Sequence, residues 1–358
     1  MTNVIGFDVG GANTKAAFVK TEDGHVKVTR TATEYFPVWK RGKERLPGVL
    51  KRLQRLTAAQ GRLDGVGVTM TAELSDAYST KREGVTHILS CVEQVFFNVP
   101  TFILDVEARL QPIGEARRKP LDIAAANWAA TGWMVSQILN DCIVVDVGST
   151  TTSIIPVING KIGATGRTDM EKLQNGELVY TGALRTNIAT IIDSVPIRDR
   201  MTKVSSELFA QSGDVHLILG NISCEEYTVE TTDRRGKTRM DAMARLARII
   251  CADKEMLTED EIMSMARYTY NGQIKQIAEG LRQVYDRTKS YYKQDIPVVV
   301  TGLGREFLAK KAAMKANFTR IVNLDVLGTN AALVSTAVGV ALMVATELEG
   351  KGIQWRQS

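Results

Sequence analysis

Cysteine is scarce in this sequence: Cys91, Cys142, Cys224 and Cys251 are the only four in 358 residues. No two of them form a C-x-x-C pair, and their spacing suits no zinc site. So low a count excludes a disulfide scaffold and fits a reducing, cytoplasmic compartment. His25, His87 and His216 also lack the spacing of metal ligands, although His87 lies near a loop with candidate catalytic groups. Long apolar runs are missing. The most apolar stretch, Ala331 to Ala345, is shorter than the roughly 20 residues a bilayer span needs. It also contains Ser335, Thr336 and Gly339, so a buried helix is expected there and no membrane partner. The opening MTNVIGFDVGG has neither a basic leader nor an apolar h-region, so no signal peptide is expected. A large excess of one charge is missing too. Lys plus Arg is 45 and Asp plus Glu is 40, a net charge of +5. That balance permits an anionic small-molecule ligand and gives no reason to expect nucleic acid.

What is present reads as an ordinary globular chain, 44% hydrophobic and 24% charged. Its length suggests two domains. Short apolar strands are expected at 4–7, 16–19, 65–71, 100–106, 215–219, 296–301 and 321–325, with a strand, a turn and a second strand over 141–157. Helices are expected at 38–62, 121–139, across most of 239–292, and at 331–348. Strands alternating with helices predict an α/β class. The first domain would take residues 1–130, completed by the 331–348 helix. The second would take 131–330, with a helical insertion at 239–292. No low-complexity linker separates them, so close packing around a central cleft is expected.

The chain begins twice. Residues 5–19 aligned with 143–157, an offset of 138, match at Ile5/Ile143, Asp8/Asp146, Val9/Val147, Gly10/Gly148, Thr14/Thr152 and Val19/Val157. Each copy is an apolar strand, an Asp, a glycine turn with small polar residues, and a second apolar strand. In the first turn Gly10 and Gly11 would take positive φ and admit a ligand, while Asn13, Thr14 and Lys15 add donors and charge. In the second, Gly148 is followed by Ser149, Thr150 and Thr151. A carboxylate beside phosphates makes sense if it holds Mg²⁺, so Asp8 and Asp146 are the metal candidates. A third element, TGLGRE, places Gly302 and Gly304 between a strand and a helix, where an anion or a planar ring could approach. Arg185 and the Arg234–Arg239 run are further candidates for anion binding.

These three elements resemble the actin/Hsp70/sugar-kinase superfamily, whose two phosphate motifs and adenosine motif look like residues 7–15, 145–153 and 299–304. The resemblance implies two ribonuclease-H-like α/β domains around a central cleft. A narrower resemblance covers nearly the whole chain. GFDVGGANTK, TMTAELSDAYSTKREGV, AAANWAATGW, VDVGSTTTSIIP, TDMEKLQNGELVYTGALRT, RGKTRMDAMARLARIICADKEML and TGLGRE are similar to the hydantoinase/oxoprolinase-related group often labelled "tetrahydromethanopterin-linked C1 transfer pathway protein". That resemblance implies a Mg²⁺-dependent transferase of methanofuran biosynthesis. It would couple an aminomethyl-furanmethyl diphosphate to the phenol of γ-glutamyltyramine and release pyrophosphate. Asp8, Asp146 and Lys15 would then neutralise the leaving diphosphate. Glu73 and Asp76 lead the candidates for the phenol's base, with Asp169 and Glu171 behind them. The alternative is a kinase or ATP-using hydrolase of the same fold, with ATP or ADP as ligand and a purine slot at Gly302–Gly304. Another is a nucleotide-sensing protein without chemistry. A homodimer is compatible with all of these.

Overall fold

The structure is a computed structural model that describes residues 1–58, 61–293, 295–324 and 332–355. The chain divides into two compact units. One comprises Met1–Cys142, Ile155–Glu171 and Leu324–Ser358, and the other Ile143–Ile154 and Lys172–Asn323. Residues 131–142 and 155–171 thus group with the first unit, beside the helix near the C-terminus.

The first unit holds strands β1 (Thr2–Val9), β2 (Asn13–Glu22), β3 (His25–Tyr35), β4 (Gly65–Met70), β5 (Thr101–Leu104) and β6 (Leu110–Pro112). Their order in the sheet is β3-β2-β1-β4-β5-β6. β1, β2 and β3 form an antiparallel meander, and β1, β4 and β5 run parallel. β4 is buried at every residue, the mark of a central strand covered on both faces. Helices Leu46–Ala58 and Lys81–Phe96 join one hydrophobic cluster through Leu46, Val49, Leu50, Leu53, Val85, Ile88, Leu89 and Val92. The Ser335–Glu349 helix packs on β1 and β4. It comes so close that a Cβ on Gly6 would stand 2.1 Å from the Ala337 carbonyl oxygen. Small residues in the apolar 335–345 run therefore serve helix-on-sheet contact.

The repeat builds a second sheet system: β7 (Cys142–Val147), β8 (Thr152–Ile158), β9 (Lys161–Ile162), β10 (Leu178–Val179), β11 (Ser194–Ile197), β12 (Arg200–Lys203), β13 (Val298–Gly302) and β14 (Ile321–Asn323), of which Cys142, Ile155–Ile158 and β9 group with the first unit and the rest with the second. The main sheet runs β10-β8-β7-β13-β14, with β9 on β8, while β11 and β12 form a separate hairpin. β7, β13 and β14 are parallel, as β1, β4 and β5 are. The path β10-β8-β7-β13-β14 repeats β3-β2-β1-β4-β5, and this is the expected ribonuclease-H-like α/β topology in both sheets. Within the 239–292 stretch lie helices Arg239–Arg248 and Glu259–Thr288, each opened by a capping box, Thr238/Asp241 and Thr258/Glu261. Among the described residues no helix is long and apolar enough to cross a membrane.

Three elements differ from expectation. Residues 215–219 are not a strand: they continue helix Ser212–Ile218, buried along its whole length. An apolar run buried on every side loses the periodicity that separates helix from strand. The 121–139 helix is broken, because Ala125 has φ 54 and the regular helix starts only at Asn127. The 38–62 helix is interrupted at Gly42, φ 87, and resumes as Leu46–Ala58. Asp325 of the expected last strand, Ala331 of the expected last helix and residues 59–60 lie outside the described residues.

The RGKTRMDAMARLARII segment has a structural explanation. Arg245 is fully buried, its Nε 2.8 Å and Nη2 2.7 Å from Asp214 Oδ1, with Nη1 3.1 Å from Asp233 Oδ1. Tyr227 also donates to Asp214 Oδ1, at 3.0 Å. Removing one partner of such a pair leaves an uncompensated buried charge. Arg245→Ala is therefore expected to lose about 3–5 kcal/mol of stability, measured by urea unfolding. A loss below about 1 kcal/mol would show that the pair contributes little.

Candidate active site

In the first unit the site grows from the β1–β2 turn. The Gly10 amide donates to the Asn13 carbonyl at 3.1 Å and closes the turn. Two more carbonyls of the turn are taken: Phe36 N–H donates to Ala12 and Val38 N–H to Gly11. On the β4 side, Thr71 N–H donates to the Val9 carbonyl at 2.9 Å. Gly10 and Gly11 do not take positive φ, contrary to expectation, and neither does Gly148. Gly10 is required sterically, since a Cβ would lie 2.5 Å from the Asn13 carbonyl oxygen, whereas Gly11 faces open space out to 3.9 Å.

Asp8 stands one residue before the end of β1, opposite Lys15 on β2 and Thr69 on β4. It is only 3% exposed. Thr336 donates its hydroxyl to Asp8 Oδ2 at 2.6 Å, and Lys15 Nζ lies 3.5 Å from the same oxygen. Oδ1 is buried without a hydrogen-bond partner, as are the hydroxyls of Thr14 and Thr69. Thr14 is fully buried. A buried carboxylate oxygen left unpartnered is costly, and a cation would relieve it. Mg²⁺ fits that donor, because it is commonly held by one or two carboxylates with substrate phosphates completing its shell. Among the described residues no cluster of three or more His, Cys, Asp or Glu could hold a metal.

The loop after β4 carries the TMTAELSDAY motif, and its two acids differ sharply. Glu73 is 1% exposed, and neither of its oxygens makes a well-formed hydrogen bond. Burial raises its pKa to about 7, against smaller opposing pulls from its own amide, Lys81 and the Ala125 amide. Gly84 of the Lys81–Phe96 helix packs on it: a Cβ there would stand 2.5 Å from Glu73 Cα. Asp76 is exposed. Tyr78 is fixed by a hydrogen bond of 2.8 Å between its hydroxyl and His87 Nδ1, and burial lowers the His87 pKa. Asp169 is paired with Lys81 at 2.7 Å. Glu171 accepts the amides of Arg167 and Thr168, which lower its pKa and leave it a poor base.

The second unit repeats the turn-closing bond and the bond from the loop after the central strand, while its backing bonds fall on different carbonyls. The Gly148 amide donates to the Thr151 carbonyl at 2.9 Å, the counterpart of Gly10 and Asn13. The carbonyls of Gly148 and Ser149 accept the amides of Ala183, Leu184 and Arg185. Gly304 N–H donates to Val147 at 3.0 Å, as Thr71 does to Val9. Asp146 stands beside Thr301 on β13, as Asp8 stands beside Thr69. Arg185 reaches the turn, its Nη1 3.2 Å from Thr150 Oγ1. Ser149 Oγ lies 3.5 Å from Thr150 Oγ1. Gly302 has φ 85, and a Cβ on it would stand 2.5 Å from Asp146 Oδ1. A Cβ on Gly304 would likewise meet Val147 Cγ1 at 2.5 Å. Both glycines are thus required by packing on β7. Of the basic run, Lys237 donates to the Tyr227 carbonyl and Arg239 to the Ile218 carbonyl, so both have structural partners. Trp128 is buried in the core.

Sequence reasoning missed Thr336, which lies 328 positions from the carboxylate it bonds. No local pattern links them. Thr69 and Thr301 were within reach: V-T follows the same apolar pattern in both central strands, Val68-Thr69 and Val300-Thr301.

A model of the hydantoinase/oxoprolinase family matches residues 64–347. A curated protein of Methanocaldococcus jannaschii, named (4-{4-[2-(gamma-L-glutamylamino)ethyl]phenoxymethyl}furan-2-yl)methanamine synthase, is 38% identical over 97% of this chain and 98% of its own length. A protein of Methanococcus vannielii with the same name is 34% identical over 59% of this chain and 94% of its own. Among solved structures, nucleotide-free acetone carboxylase aligns with a TM-score of 0.55 at 11% identity, covering 96% of this chain and 70% of that one. That likeness concerns the fold alone.

Proposed function

The chain belongs to the hydantoinase/oxoprolinase family, and from that membership we propose that it is a methanofuran-biosynthesis synthase. It would join the phenol of γ-glutamyltyramine to the methylene carbon of an aminomethyl-furanmethyl diphosphate. The observation that carries this reading is the full-length relative, whose name contains a phenoxymethyl-furan ether. The twice-built turn is what such a reaction needs for an anionic leaving group.

In this reading Glu73, as carboxylate, takes the phenolic proton. A phenol has a reference pKa near 10, so a base titrating at about 7 suits neutral pH better than an ordinary carboxylate does. The phenol oxygen forms a bond to the furanylmethyl carbon. The bond from that carbon to the bridging diphosphate oxygen breaks, and its electron pair leaves with pyrophosphate. The furan oxygen stabilises positive charge at the carbon as that bond lengthens. Each turn offers donors and positive charge to an anionic group, its amides with Lys15 in the first unit and its amides with Arg185 in the second. Mg²⁺, when bound, would be held by Asp8 in the first unit, or by Asp146 at the repeated position in the second, and would neutralise diphosphate charge.

Oxygen labelling tests the bond assignment. With ¹⁸O in the bridging position of the furanmethyl diphosphate, the label is expected entirely in pyrophosphate, as measured by mass. Label retained in the ether would mean cleavage at phosphorus and would contradict the proposed transfer.

A further inference from the structure

Behind the second turn lies a buried polar chain that the reaction scheme does not use. His216 is fully buried, and burial lowers its pKa to about 4, so the ring is neutral. Asn221 Nδ2 lies 3.2 Å from His216 Nδ1, and Gln273 Oε1 lies 3.0 Å from His216 Nε2. An amide NH₂ can only donate, so Nδ1 is the acceptor and Nε2 carries the proton. That proton fixes which way the Gln273 amide points: Oε1 faces His216, and Nε2 faces the backing loop. Gln273 Nε2 donates to the Gly182 carbonyl at 2.7 Å and to Thr181 Oγ1 at 2.9 Å. Thr152 Oγ1 donates to the Thr181 carbonyl at 2.8 Å, tying the same loop to β8. The loop then touches the turn itself. A Cβ on Gly182 would stand 2.6 Å from Thr150 N and 2.7 Å from Ser149 C.

We infer that His216 and Gln273 are positioning residues for the second anion turn: they hold the Thr181–Arg185 loop against Ser149 and Thr150, so that the turn presents its N–H side to a phosphate group. The inference rests on the proposed function only for the identity of the ligand. A turn whose Gly148, Ser149 and Thr151 carbonyls are already engaged can meet an anion with little reorganisation, which is where such a site gains its affinity. Gln273→Glu breaks the arrangement chemically, because a carboxylate cannot donate to the Gly182 carbonyl. Gln273→Met keeps the shape and removes both donors. His216→Phe leaves the Gln273 amide free to turn over.

The test is calorimetric titration of wild type and the three variants with pyrophosphate and, separately, with ADP, in Mg²⁺, beside thermal melts and the KM of each substrate. Weakening of pyrophosphate binding by about ten-fold or more is expected. The KM of the diphosphate substrate should rise and that of the phenol substrate stay unchanged, a split that general destabilisation would not produce. If Gln273→Glu melts early, Gln273→Met and His216→Phe carry the comparison. A variant with wild-type melting and wild-type pyrophosphate affinity would overturn the inference. Wild type that binds ADP but not pyrophosphate would instead overturn the proposed reaction, and the variants would then be compared on ADP. Wild type that binds neither would overturn both.

Discussion

Asp8→Asn is expected to lower turnover by about 10²–10³-fold with the fold intact. The amide keeps the carboxylate's shape, and its carbonyl can still accept the Thr336 hydroxyl that now bonds Oδ2 at 2.6 Å. What disappears is the charge on the buried, unpartnered Oδ1 and the counterion 3.5 Å from Lys15 Nζ. Because a buried carboxylate with an orphan oxygen costs stability, the melting temperature of the variant should not fall. The Mg²⁺ concentration for half-maximal rate should rise. Activity unchanged at saturating Mg²⁺ would remove Asp8 from the metal role and leave it a structural partner of Thr336. Asp146→Asn is also expected to lower turnover, since its backbone position opposite Thr301 repeats that of Asp8 opposite Thr69.

Glu73→Gln should act in opposite directions on catalysis and stability. Loss of a general base predicts a fall of about 10²–10⁴-fold in kcat/KM at pH 8. The wild-type rate should climb with pH and level off above about 7, as burial sets the Glu73 pKa, and the variant should lose that acid limb. The stability sign follows from linkage. The native carboxyl titrates at about 7, above the ordinary glutamate value of 4.5, so between those values the folded state holds a proton the unfolded chain has released. Stability from this group is complete below the ordinary value and is lost as pH rises through 7. At about 1.4 kcal/mol for each pH unit in that window, the loss is about 3 kcal/mol. A neutral amide at this position carries no such penalty, so the variant should outlast wild type in urea at pH 8 and match it near pH 4. A wild-type pH–rate profile in the variant would pass the base role to the exposed Asp76.

Much of this was legible because the chain states it twice. The offset of 138 that pairs Asp8 with Asp146 also pairs Gly10 with Gly148 and Asn13 with Thr151, and the same turn-closing hydrogen bond forms in each unit, from Gly10 to Asn13 and from Gly148 to Thr151. The strands holding these turns were readable from short apolar runs. The helix at 212–218 was not, although Gln211 and Asp214 supply a capping box at its start. Its residues are all buried, so no polar face marks a period. The two acids of TMTAELSDAY look interchangeable in sequence. Only the Lys81–Phe96 helix, with Gly84 pressed on the Glu73 backbone, distinguishes the buried acid from the exposed one. The glycines of TGLGRE suggested ligand access, but the space beside their bare Cα atoms is filled by Asp146 and Val147. Contacts between positions far apart, such as Thr336 with Asp8, leave no local trace.

The most direct measurement is a single turnover assay with γ-glutamyltyramine, the aminomethyl-furanmethyl diphosphate and Mg²⁺, run with and without ATP. Coupled ether and pyrophosphate in equal amounts, formed without ATP, are the predicted result. Ether formed only with ATP, or ATP hydrolysed with no ether formed, would contradict it and assign the two turns to a nucleotide.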